Sequence, residues 1–453
     1  MKKFITILGI FFFYQSHSQL LNQGTPKNLQ CMPKAEIEAF KRDILTQRDA
    51  VLQTKNISKA QLRVAAPQQI LFSWPVQANA DYDFTYNTTI ISNFVDQNVT
   101  TDPAMDDDLK EPQFIDDWNC GNRTYDGHDA EDIATWPFGW HMYDVNAGMV
   151  VAAAPGEILD KQDGYYDKYC ARGGSNPNFV SILHDDGTVS SYLHMKNGSI
   201  TTLPKGTRVS QGDYLGIIAS SGNSTGPHVH FSIYDINDNL IDPFTGTCNG
   251  LNNSTWWQNQ RNYWEPQINK VMTHSNVPVD GDCWGNEHLG YEAEVMNGKN
   301  SFSSGEIVVI GTYLQDIQDN DVISGTLFYP SGGVFDTWTH TSTVTSSARY
   351  FLKSYLLPAS NTGTWIVRME YRNKNYYHFF TVGCNSSETV SGPRTGSEGF
   401  IAGSSIISSI VHTTNSQSKV LYQAADEITF LPGFEITSGA HLKARIKGCS
   451  FVE

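Results

Sequence analysis

Three short stretches of the chain carry histidines and carboxylates at spacings that suit metal-assisted hydrolysis. The first is Asp126-Gly127-His128-Asp129-Ala130-Glu131-Asp132, in which a histidine and a carboxylate stand four residues apart. The second is Tyr192-Leu193-His194, and the third is the run Gly222-Asn223-Ser224-Thr225-Gly226-Pro227-His228-Val229-His230-Phe231. Imidazole nitrogens and carboxylate oxygens are ordinary zinc ligands, and imidazole is the side chain that exchanges protons near neutral pH. With 13 histidines in 453 residues, roughly 0.4 His-x-His pairs and about one His-x-x-x-acid pair arise by chance. Neither spacing identifies a site by itself. The elements that must position these residues carry the argument.

Alternate side chains of a strand share a face. Along His228–Tyr234 one face then holds His228, His230, Ser232 and Tyr234, and the other holds Val229, Phe231 and Ile233. That is a polar face with two imidazoles over an apolar back. The Gly- and Ser-rich run before it reads as a loop. Phe179–His184 and Thr188–His194 read as a hairpin about an Asp186-Gly187 turn, which pairs Phe179 with His194 and Ile182 with Ser191. In that register His194 falls on the more polar face with Tyr192, and His184 falls on the apolar face as a structural residue. Gly127 favours a curled loop for the His128–Asp132 stretch. Tyr192 and Tyr234 are read chiefly as packing residues.

The three stretches, in this order, resemble the lysostaphin/LytM-type zinc endopeptidases. That family carries a His-x-x-x-Asp, a Tyr-x-His, and a Gly-x-x-x-Gly-Pro-His-x-His-Phe segment. The resemblance covers about residues 70–245. It implies that His128, Asp132 and His230 are metal ligands for Zn2+, and that His194 and His228 are catalytic residues outside the ligand set. Three protein ligands leave a position for water, whose pKa zinc lowers to about 7. Which of His194 and His228 is the general base stays open. One departure is visible: the family often has Gly within the His-x-x-x-Asp spacer, and Asp129-Ala130-Glu131 stands there instead, bringing negative charge near the metal. The implied activity is an exported zinc metalloendopeptidase cutting peptide bonds in peptidoglycan cross-links. A released protease acting on foreign walls or Gly-rich structural proteins is a second reading. A LytM-like amidase regulator without catalysis and a surface binding protein are readings of another class. Such regulators lack metal ligands, whereas all five key residues are present in this chain.

The bulk properties agree. A formal net charge of −16 disfavours phosphate backbones, so nucleic acid is not an expected partner. Lys2 and Lys3 precede an apolar run, Phe4–Tyr14, too short for a bilayer span. Residues 1–18 thus read as a signal peptide, which places the protein outside the cytoplasm. No other run suits a transmembrane segment. Peptidoglycan or peptide is the expected substrate, and the oligomeric state is left open.

The expected fold is mainly β. An antiparallel β-sheet catalytic domain of duplicated-hybrid-motif type (71–247) is followed by a β-sandwich (283–384) and a small β module (385–453). Residues 19–70 hold a helical segment or prosegment, with Ile37, Phe40, Ile44, Val51 and Leu52 near one helix face. Sandwich strands are expected at Glu306–Leu314, Val322–Tyr329, Tyr350–Leu357, Trp365–Tyr371 and Tyr376–Val382, the last after a turn at Asn373-Lys374-Asn375. The acidic stretch Asp102–Asp117 reads as a solvated loop. The seven cysteines form no C-x-x-C pair. Disulfides are expected instead, as Cys120–Cys170, Cys248–Cys283 and Cys384–Cys449, leaving Cys31 over.

Overall fold

A computed structural model describes residues 32–65, 69–79, 88–97, 116–170, 174, 176–279, 281, 293–358, 360–413, 418–436 and 440–451. Residues 1–18, read as a signal peptide, and most of the acidic stretch lie outside them, as do Cys31 and Cys283. The protein is mainly β and the sheets formed within residues 71–247 are antiparallel, as expected. A seven-stranded sheet runs in the order Thr89–Asn93, Glu131–Thr135, His228–Tyr234, Val189–Leu193, Phe179–Leu183, Gly156–Gln162, Arg208–Val209. A smaller sheet of Val76–Ala78, Gly148–Val151 and Tyr214–Ile217 accompanies it.

The two faces of the seven-stranded sheet are covered differently. Val229, Phe231 and Ile233 face a large core with Val180, Ile182, Tyr192, Phe72, Phe94 and Trp257. On the opposite face, Phe179, Leu183, Val189 and Leu193 pack against the helix Lys34–Thr54 through Ile37, Ile44 and Leu52. The helix begins after Pro33, whose fixed φ suits that boundary. Its apolar stripe is narrower than expected, since Phe40 and Val51 are only half-buried. Arg48 is fully buried instead: its guanidinium donates to the Asp235 carbonyl at 2.9 Å and pairs with Asp238. This face also carries His228, His230, Ser232 and Tyr234.

The hairpin differs from expectation by one residue. Val180 pairs with Tyr192, Ser181 with Ser191 and Ile182 with Ser190. The loop has three residues, Asp185-Asp186-Gly187, closed by His184 N–H to Thr188 O at 2.9 Å. Gly187 takes φ +85°, the left-handed position that ends a three-residue hairpin loop. The shift puts Ser190 and Tyr192 on the core face and Val189, Ser191 and Leu193 on the face of His230. The sandwich hairpin turns earlier than expected too. Tyr371 pairs with Lys374, so the turn is Arg372-Asn373, both at positive φ (47° and 62°), a geometry Asn tolerates well.

The sandwich sheets are Gln267–His274, Ile307–Ile317 and Ser346–Leu356 on one side. Ser301–Phe302, Lys374–Val382, Gly363–Tyr371, Val322–Phe328 and Val334–Thr341 form the other. Beyond it, Ser387–Ile446 winds as parallel coils: Ser387–Val390, Ser405–Ser408 and Glu427–Phe430 stack on one side, and two further three-strand stacks complete the solenoid. The cysteine pairing needs correction. Cys120 is bonded to Cys248, which excludes both Cys120–Cys170 and Cys248–Cys283. Neighbourhood in sequence was the wrong guide, because Asp117 gathers the Asn119, Gly121 and Arg123 amides into a tight loop whose Trp118 carbonyl binds the Cys248 amide. Cys384–Cys449 forms as expected and ties the start of the solenoid to its end.

Candidate metal centre

Antiparallel pairing brings the predicted residues together. His230 lies opposite Asp132 on one neighbouring strand and opposite Leu193 on the other. His128 precedes the Glu131–Thr135 strand in a loop, and Gly127 there has φ +74°. Ligand atoms of His128, Asp132 and His230 all lie within 4.8 Å of one another, and all three residues are buried. His128 Nε2 is 3.2 Å from Asp132 Oδ2, and His230 Nδ1 is 3.1 Å from Asp132 Oδ1.

His194 reaches this cluster by a different route from the one strand alternation suggested. In the observed register a regular strand would send it towards the core with Tyr192. The strand ends at Leu193, however, and His194 adopts φ +68°, a left-handed conformation that His takes more readily than most residues. Its ring then stands 4.6 Å from that of His228 and 5.6 Å from that of His230, centroid to centroid. His184 stays on the core side, with Nδ1 on the Pro155 carbonyl and Nε2 on Ser190 Oγ, each at 2.8 Å.

Carbonyl oxygens only accept, so they fix the tautomers. His128 Nδ1–H donates to Phe94 O at 2.7 Å, His194 Nδ1–H to Ser221 O at 2.6 Å, and His228 Nδ1–H to Gly226 O at 2.8 Å. The Nε2 lone pairs of all three rings are thereby turned away from the backbone. The Nε2 atoms of His128 and His194 are buried and make no hydrogen bond among the described residues. His228 Nε2 lies 3.5 Å from Asp132 Oδ1. None of these three carbonyl partners was legible in the motifs.

The electrostatics follow from burial and crowding. Burial, then the charges of His228 and His230, hold the His194 imidazole well below its usual pKa, so it is neutral at pH 7. Burial by itself would raise the Asp132 carboxyl, but the charges of His128 and His228 beside it, with the contact to His230, hold it well below the carboxylate range. Burial opposes charge on His230 as well, yet two carboxylates, Asp129 and Asp132, push its pKa up to about 10. Glu131 behaves otherwise. It pairs with Phe231, on the core side of the sheet, where burial and then Asp242 push its carboxyl well up. Of the two carboxylates in the spacer, only Asp129 therefore adds negative charge at the metal side.

This donor set fits zinc. Two imidazole nitrogens and a carboxylate oxygen converge, the His128 Nε2 atom is buried without another partner, and the far nitrogens of both candidate ligand histidines are held from behind. A β-sheet that gathers such a set beside two further imidazoles defines a metallopeptidase-type domain. The family is specific: residues 141–243 match the model for Peptidase family M23, which bears out the lysostaphin/LytM-type resemblance drawn from the motifs. The matched span contains His194, His228 and His230 and begins after His128 and Asp132, so the sheet, rather than that match, joins the first pair to the rest.

Over 89 residues, 20% of this chain, it is 30% identical to the peptidoglycan DD-endopeptidase ShyC of Vibrio cholerae, matching 18% of that protein. Over 113 residues, 24% of this chain, it is 29% identical to the DD-carboxypeptidase/endopeptidase Mpg of Neisseria meningitidis, matching 25% of it. The chain thus spans a quarter or less of the length of these relatives. The solved catalytic domain of the antimicrobial peptidase lysostaphin from Staphylococcus simulans overlaps 37% of this chain and 96% of that domain, at 18% identity and a TM-score of 0.21.

Proposed function

We propose that the protein is an exported zinc metalloendopeptidase that hydrolyses peptide bonds in peptidoglycan cross-links. The observation that carries this reading is the convergence of His128, Asp132 and His230 with two imidazoles, His194 and His228, whose Nδ1 atoms are pinned to carbonyls. His128 Nε2, an Asp132 oxygen and His230 Nδ1 would hold the ion. Bound zinc would supply Lewis acidity and a water acidic enough to attack near neutral pH. In this reading the neutral His194 Nε2 would accept the attacking water's proton and return it to the leaving amine. His228, on the other side of the pair, would donate from Nε2 to the oxyanion of the tetrahedral intermediate only as an imidazolium, because its Nδ1 proton is held by Gly226 O. The two rings are close enough to act as a coupled pair.

The ShyC and Mpg matches support peptidoglycan as the substrate class, and residues 1–18 support export. No described helix is long and apolar enough to cross a membrane. Residues 19–70 are an accessory of the catalytic domain in this reading, because the helix shares a core with the sheet face that carries the site. The zinc-loaded chain, incubated with purified peptidoglycan and separately with a Gly-rich protein, should release new amine termini from the cross-link peptides, identified by mass spectrometry. Intact cross-links in the presence of bound zinc would overturn the assignment, and cleavage of the Gly-rich protein alone would move the substrate class.

A further inference from the structure

Asp129 was read from sequence only as extra charge. Its geometry is more specific. The carboxylate uses both oxygens on residues of one strand face: Oδ1 lies 3.1 Å from His230 Nε2, and Oδ2 accepts the Tyr234 hydroxyl hydrogen. Tyr234 stands four residues beyond His230 on the same face of the strand, so its hydroxyl reaches back beneath the imidazole. Both residues are nearly sealed, Asp129 at 7% exposure and Tyr234 at 1%. The helix Lys34–Thr54 closes the outside, with Lys41 Nζ 5.0 Å from the centre of the Tyr234 ring.

We propose that Asp129 and Tyr234 are positioning residues for the metal centre: Asp129 holds the His230 ring so that Nδ1 faces the ion, and Tyr234 holds Asp129. This rests on the zinc reading of the site. Three facts support it. His230 presents its two nitrogens to two different carboxylates, Asp132 in front and Asp129 behind. With a metal at Nδ1, the Nε2 proton has an acceptor already in place, and such an acceptor raises ligand basicity and locks ring orientation. Formal charge also balances, since a divalent ion against Asp132 and Asp129 leaves the buried centre neutral. Burying an unbalanced charge is costly. His128 obtains the same support from a backbone carbonyl, Phe94 O, which carries no charge. The two ligand histidines are thus held by chemically different partners, and only one of those partners is open to substitution.

The test uses the full chain with Asp129→Asn, Asp129→Ala, Tyr234→Phe and, as a control on the same face, Ser232→Ala. Zinc affinity is read by competition with a chromophoric chelator, the apo-protein melting temperature by calorimetry, and ligand geometry by the visible absorption of the Co2+-substituted protein. Asp129→Ala should weaken zinc binding about 10–100-fold. Asp129→Asn should weaken it less, because its amide oxygen still accepts the His230 proton. Tyr234→Phe should cost a few-fold. The cobalt spectrum should shift in both Asp129 variants and remain unchanged in Ser232→Ala. Should Asp129→Ala fail to fold, the isosteric Asp129→Asn decides alone. Zinc affinity within two-fold of the parent and an unshifted cobalt spectrum in the folded Asp129 variants would overturn the proposal. A parent chain that binds no zinc would instead overturn the zinc reading on which it rests.

Discussion

Two pairs of buried histidines contrast in this molecule. His184 in the catalytic domain and His274 in the sandwich are held at both nitrogens: His184 by Pro155 O and Ser190, His274 by Met296 O at 2.7 Å and the Tyr313 hydroxyl at 3.0 Å. His128 and His194 are equally buried but held at one nitrogen only, with the other turned into a shared space beside Asp132. An imidazole satisfied at both nitrogens by neutral partners is a packing element that happens to be polar. A half-satisfied one keeps an unmet hydrogen-bonding cost, which a ligand or substrate can relieve. Between these two pairs the number of filled ring nitrogens separates the roles more sharply than burial does, while His230 is filled at both nitrogens by carboxylates, Asp132 and Asp129.

The largest effect should come from exchanging the two kinds of residue in mutagenesis. His230→Ala should lose bound zinc and take peptide cleavage to background, because two ligands cannot hold the ion that three converge on. His184→Ala should keep full zinc occupancy and cost about 1–3 kcal/mol of stability, through the unpaired Pro155 carbonyl and Ser190 hydroxyl. Metal analysis and thermal melts on both variants check this. Zinc loss in His184→Ala, or retention in His230→Ala, would break the comparison.

Within the half-satisfied group, His194→Ala should retain zinc and lower turnover about 10²–10⁴-fold, the range for removing a positioned acid–base group. A parallel loss of zinc would move His194 into the ligand set.

The sequence carried the pattern of the site better than its mechanics. The alternation along His228–Tyr234 was readable, because Val229, Phe231 and Ile233 are apolar without exception and the intervening positions are not. The hairpin was less readable. Its two faces differ little in polarity, so pattern could not fix register against a one-residue slip, and Asp186-Gly187 fits a two-residue turn as well as the end of a three-residue loop. His194 was chosen for its polar face, whereas its place depends on a left-handed backbone at the strand end that no side-chain pattern encodes. Asp129 was visible but its direction was not. One residue separates it from Glu131 in sequence, and only strand pairing shows that Glu131 turns to the core. The disulfide partners were misread for a similar reason, since Cys120 and Cys248 are 128 residues apart and meet only through tertiary packing.

The helix over the site face provides a smaller test. Ile44 is fully buried against that face. Ile44→Ala should destabilise the catalytic domain by about 2–4 kcal/mol if helix and sheet share one core, as buried aliphatic truncations do. A melt in which only a minor early transition moves would show that the helix is held separately from the domain it covers.

The smallest effect concerns two buried imidazoles of the sandwich in acid. Burial lowers His274 to about 4, and burial with the charges of Lys270, His274 and Arg445 lowers His378 to about 3, both from an ordinary value of 6.5. In the folded sandwich both stay neutral where the unfolded chain takes up protons. Their contribution is therefore fully present above pH 6.5 and is lost as pH falls from there towards 4 and 3. Between pH 7 and 5 the pair should remove about 4 kcal/mol from the sandwich. The slope is the informative quantity, because a substitution shifts absolute stability for other reasons. His378→Gln should reduce the slope of unfolding free energy against pH by about one proton's worth, roughly 1.4 kcal/mol per pH unit. An unchanged slope would mean that His378 binds its proton in the folded sandwich. It would then be a charged imidazole within the sandwich, although Thr273 at 2.9 Å and Asn300 at 3.1 Å both meet its Nε2 atom.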